Sequence, residues 1–65
     1  MVNKQQMINQ NKRRVGELQK GIHYCENQIK KKPAKWEVNE YRTVISGYKK
    51  DIRDIKSHNK RLRKL

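Results

Sequence analysis

Lys31-Lys32-Pro33-Ala34-Lys35 divides the chain into two runs of one pattern, and that pattern decides the fold. Upstream, Ile8, Asn11, Val15, Leu18, Ile22, Cys25 and Ile29 follow one another in alternating steps of three and four. Downstream, Tyr41, Ile45, Tyr48, Ile52, Ile55, Asn59 and Leu62 do the same. Such an alternation draws one narrow stripe along a helix. It is the seam of a coiled coil, narrower than the stripe a helix shows to a large core.

The helix stops and starts agree with this reading. Asn3 followed by Gln6 resembles a capping box, with Asn in place of Ser or Thr. Lys30, Lys31 and Lys32 sit where a helix C-terminus favours cations, and Pro33 cannot continue the first helix. Pro33 does suit the first turn of a second helix. Glu37 and Glu40 fall early in that helix, and Lys60, Arg61, Arg63 and Lys64 fall at its end, as the helix dipole prefers. The spacing predicts a first helix over about 3–31, a turn over about 32–34 and a second helix over about 34–63, in one domain. At ~1.5 Å per residue, each helix is roughly 45 Å long.

A short connection makes neighbouring helices antiparallel. Folding the chain about residue 35 pairs Ile29 with Tyr41, Cys25 with Ile45, Ile22 with Tyr48, Leu18 with Ile52, Val15 with Ile55 and Ile8 with Leu62. The same fold sets Asn11 opposite Asn59, the two polar residues of the seams. A buried amide pair penalises a slipped register, because a slip leaves an amide unpaired. The alternative is that both amides are frayed and wet near the open end. The expected fold is therefore an all-α, two-helix antiparallel hairpin, assembling into a homodimer or packing on a partner. A seam of this length is thin support for a lone hairpin.

On one flank Glu26 falls near Arg42, a mildly favourable pair, and Lys12 falls near Lys56, a repulsive one. Gly21 and Val44 suggest a lightly decorated face that could take a second hairpin or a partner helix. Glycine inside a helix costs up to about 1 kcal/mol. Close packing at Gly21 or Gly47 would account for that cost, and so would simple tolerance.

Composition bounds the function. The 65 residues carry 18 Lys and Arg against 6 Asp and Glu, a net charge of +12, and only 32% are hydrophobic. So basic a surface is the electrostatic footprint of a polyanion binder. One cysteine, Cys25, allows no internal disulfide and fits a reducing, intracellular setting, read as cytoplasmic. No apolar run approaches the roughly 18 residues of a membrane span, and the start has no signal-peptide core. Lys, Asn and Ile are abundant, and their A/T-rich codons associate the chain with a low-GC bacterium or its phage.

Enzymatic chemistry has no evident carrier. Cys25, His23 and His58 are too few, and wrongly spaced, for a metal site. Cys25 lies on the seam, where packing is its expected role. The six carboxylates form no acid–base pair, and Gly16, Gly21 and Gly47 form no phosphate loop. No catalytic residue, cofactor, metal or small-molecule substrate is expected.

What remains is binding. A closed hairpin gathers Lys12, Arg13, Arg14, Lys56, Lys60, Arg61, Arg63 and Lys64 at its open end. A second cluster, Lys30, Lys31, Lys32 and Lys35, lies at the turn beside Trp36. Trp36 either stacks on a base or packs as a staple over the turn. Tyr24, pointing away from the seam, is either a contact or ordinary surface. The expected activity is contact with nucleic-acid phosphates in a regulatory role. The alternative is a small inhibitor or adaptor, phage-encoded in one version, docking on an acidic surface of a host protein.

Lys49-Lys50-Asp51-Ile52-Arg53-Asp54-Ile55-Lys56-Ser57 resembles the second helix of a small basic hairpin family of the bacterial large ribosomal subunit. The likeness is one of charge and heptad over nine residues. That family's longer connection and its first helix have no counterpart here, so no family is assigned.

Overall fold

The computed structural model describes residues 3–65 and has two helices, α1 (Lys4–Lys30) and α2 (Lys35–Lys64), packed against each other as a hairpin. The molecule measures 47 × 16 × 14 Å, a short two-helix rod.

The first helix begins at the capping box. The Asn3 side chain accepts a hydrogen bond from the Gln6 backbone N–H at 2.8 Å. The Gln6 side chain accepts one in return from the Asn3 backbone N–H at 3.3 Å. Two N–H groups that no helix carbonyl can reach are thereby satisfied.

The connection is built differently from the sequence expectation. Lys31 closes α1, and Lys32 turns into the left-handed region at φ 55°. The Lys32 N–H donates to the Ile29 carbonyl at 3.1 Å, one of the two bonds of a Schellman turn. The other bond would need an N–H at Pro33, and proline has none. Pro33 therefore lies outside α2, not in its first turn. Ala34, extended at ψ 151°, is the N-cap and offers no side-chain acceptor. Its carbonyl accepts from the Glu37 and Val38 N–H groups at 2.9 and 3.1 Å. The second helix thus starts at Lys35, one residue later than the spacing suggests.

Four contacts between the helices fix the register. Lys4 Nζ donates to the Leu65 backbone oxygen at 3.4 Å. Asn11 Nδ2 donates to Asn59 Oδ1 at 2.8 Å, and Asn59 Nδ2 reaches the Ile8 carbonyl at 3.5 Å. Asn11 Nδ2 also lies 3.3 Å from His58 Nδ1. Every one of these pairs straddles residue 35 to within two positions. Among the described residues, no buried side-chain N or O is left without a partner.

The middle of the hairpin is closed by a glycine. A Cβ on Gly21 would lie 2.6 Å from Cε2 of Tyr48, so the ring sits where any other side chain would be. Gly21 is accordingly part of the packed seam, covered by Tyr48, and does not belong to an open face with Val44. Gly16 and Gly47 have no neighbour there at all.

Burial is uneven. Ile8, Leu18, Ile22, Cys25 and Leu62 form the buried apolar core, and Asn59 is buried with them. Ile29, Tyr41, Ile45, Tyr48, Ile52 and Ile55 are half-buried, so most of the α2 stripe is covered on one side only.

Candidate nucleic-acid interface

The open end concentrates charge of one sign. Nine of the 18 basic residues, and none of the six acidic ones, lie in the stretches 4–16 and 55–65. The hairpin brings these stretches side by side, and among the described residues no acidic side chain of either stretch offsets their charge.

Helical geometry divides this charge among faces. Lys12, Lys56, Lys60 and Arg63 line one groove of about 510 Å³, together with Val15 and Asn59. The groove runs along one flank of the seam and draws cations from both helices. Its lining thus combines Val15 with long side chains whose aliphatic stems can cover apolar surface while their charged heads stay in water. Arg63 adds a planar fork that can hold a phosphate by two parallel bonds.

The other four cations of the expected cluster do not converge with these. Arg13, one residue from Lys12, is turned about 100° around the helix and lines a separate groove with Gln6, Asn9 and Gln10. Arg14 falls on the flank of α1 opposite Lys12. Arg61 and Lys64 are exposed in the last turn of α2, outside the groove. The tip is thus positive all round, and four of its cations share one groove.

Asn11 and Asn59, whose roles at the sequence level were structural, hold the floor of this site. Asn59 lines the groove and is bonded to Asn11 behind it. The groove therefore depends on the register that the amide pair sets.

At the turn, Lys31, Lys32 and Lys35 are exposed, and Trp36 and Tyr24 are 63% and 61% exposed. Trp36 thus keeps most of its surface open to solvent. A shallow groove on the outside of α2 is lined by Asn39, Glu40, Thr43 and Val44 and carries no cation.

Of the titratable groups, Tyr41 is displaced. Burial, and then the neighbouring Tyr24, Glu37, Cys25 and Glu40, raise its pKa above 10.0. Cys25 is buried and unpaired. Among the described residues, no three His, Cys, Asp or Glu side chains come together to hold a metal ion. No helix is long and apolar enough to cross a membrane. Comparison with protein-family models, with curated proteins and with solved structures gives no significant match.

Proposed function

We propose that this hairpin is a binding protein for nucleic acid, gripping backbone phosphates in the groove at its open end. The observation that carries the reading is the convergence of Lys12, Lys56, Lys60 and Arg63 on one concavity in a tip without acidic side chains. Phosphates entering the groove relieve the repulsion between Lys12 and Lys56 and release condensed counterions into bulk solution. Binding and stabilisation of the tip are then one event.

The test is a salt titration of affinity for a generic duplex, followed by fluorescence anisotropy. The logarithm of affinity falls against the logarithm of salt with a slope of about −0.9 per phosphate neutralised, so four contacts give roughly −3.6. Combined charge reversal, Lys56→Glu with Lys60→Glu and Arg63→Glu, weakens binding by about a hundredfold or more while the helical circular-dichroism signal is kept. An affinity that ignores salt, or survives the reversal, sinks the reading.

A second reading is favoured by one observation. Tyr24, Trp36 and Val44 are exposed apolar or aromatic residues, and Ile45, Ile52 and Ile55 are only half-covered. These would anchor an acidic host protein or a second copy of the hairpin, with the cations steering association. Light scattering before and after nuclease treatment distinguishes the cases. A stoichiometric protein partner that survives nuclease favours this reading; a mass that falls on nuclease treatment to that of this chain alone, as monomer or dimer, favours the first.

A further inference from the structure

We infer that the outer face of α1 reads base edges in the major groove of duplex DNA, an inference that rests on the phosphate-binding reading above. Gln6, Asn9, Gln10 and Arg13 line a second groove, of about 310 Å³. Their spacing of three, four and seven residues places them on one stripe, directed away from α2. All four are exposed. The first three bear no charge, so they add nothing to the general attraction for phosphates. Amides and guanidinium are the side chains whose paired hydrogen-bonding groups match adenine and guanine edges in the major groove.

The flanks of the stripe carry the complementary charge. Lys12 falls on one side of it and Arg14 on the other, as two phosphate backbones bound a major groove. An α-helix fits that groove, about 12 Å wide in B-form DNA, whereas the major groove of duplex RNA is too narrow to admit it. The ligand is therefore DNA.

The hydrogen bonds already made within the stripe narrow what it can read. The Gln6 carbonyl oxygen accepts from the Asn3 N–H, and the Asn9 oxygen accepts from Gln5 Nε2 at 3.1 Å. Gln6 and Asn9 are thus left mainly as N–H donors, suited to the acceptor atoms of guanine, adenine and thymine. Gln10 can pair with adenine and Arg13 with guanine. They are three residues apart, ~4.5 Å along the helix, so the two bases lie within one or two steps of each other. Glu17, four residues beyond Arg13, ends the readable stretch with a charge that phosphates repel.

Gly16 supports the same assignment. It sits beside this stripe with nothing within 4 Å of where its Cβ would be. Unlike Gly21, it has no packing reason within the hairpin. Lacking a side chain, it leaves the room that close approach to a base pair requires.

The test is selection from a random duplex pool with the full chain, then anisotropy titrations of the selected duplex, a scrambled duplex and a duplex RNA. The selected sequence contains guanine and adenine within two steps and binds about tenfold or more tightly than the scrambled one. The combined variant Gln6→Ala, Asn9→Ala, Gln10→Ala binds both duplexes at the scrambled level with its salt slope unchanged. Alanine keeps the helix, which circular dichroism verifies. Gly16→Leu also loses the preference while gaining helicity, which separates blocked approach from unfolding. Steep salt dependence with no sequence preference, a preference that survives the triple variant, or tighter binding to duplex RNA overturns the inference and leaves phosphate binding standing. No binding to any polyanion overturns both.

Discussion

The two ends of the hairpin are held together by different means. At the turn, four residues of backbone tether the helices, and the side chains there are loosely packed: Ile29, Val38 and Tyr41 are half-buried and Trp36 is exposed. At the open end no backbone crosses from one helix to the other, yet side chains there are well buried, with Ile8 at 4%, Asn59 at 6% and Leu62 at 7% exposure. A free end of a zipper ordinarily frays. Here it is also the end with the greatest like-charge repulsion, which acts over the ~8 Å Debye length of physiological salt. Side-chain contacts do at the tip what the covalent connection does at the turn.

That contrast is broken if equal truncations at the two ends cost the same. Ile8→Ala should lower stability by about 2–4 kcal/mol, and Ile29→Ala by about half as much, as read from urea midpoints. A larger loss at Ile29 would place the main anchor at the turn instead. Next in size is the amide pair. Asn11→Ala strips Asn59 of its short hydrogen bond and should cost about 1–2 kcal/mol. Replacing both amides with leucine should restore stability while loosening the register, seen as extra amide cross-peaks in an NMR spectrum. A double replacement that costs the sum of the two single ones would argue against coupling of the two side chains.

The turn offers smaller effects of the opposite sign. Lys32 holds a left-handed backbone that glycine adopts without steric cost, so Lys32→Gly should raise stability by up to about 1 kcal/mol. The smallest effect is the titration of Tyr41. Its raised pKa means that the hairpin disfavours the phenolate. The stability tied to it is whole below pH 10.0 and is lost as pH rises through the folded-state value. Tyr41→Phe should therefore flatten the alkaline decline in a pH series of thermal melts.

The hairpin was legible because its determinants are periodic or local. The seam repeats every seven residues, and the Asn3–Gln6 box needs only four residues to be seen. The pairing of Asn11 with Asn59 follows once a fold point is chosen, because seam positions on opposite helices are tied by symmetry. Other features depend on atoms far apart in sequence. Nothing near Gly21 announces that the Tyr48 ring will cover it. Lysine is a poor guide to a left-handed residue, so Lys32 gave no sign of the turn geometry, and Pro33 looked like a helix start.

The site was legible in outline only. Counting cations finds the tip. It does not separate Lys12 from Arg13, which are adjacent in the chain and belong to different grooves. Charge does not point to Asn9 and Gln10, which carry none, and Gln6 reads from the sequence only as half of the capping box. Their shared face was available from spacing alone.

Cys25 gives this molecule an internal clock. Its thiol is shut inside the zipper in the half of the rod nearer the turn, so a bulky alkylating reagent reaches the sulfur only when the two strands part. The rate of modification in excess reagent then counts openings per unit time. A bound ligand that clamps the strands would slow that clock without touching the sulfur.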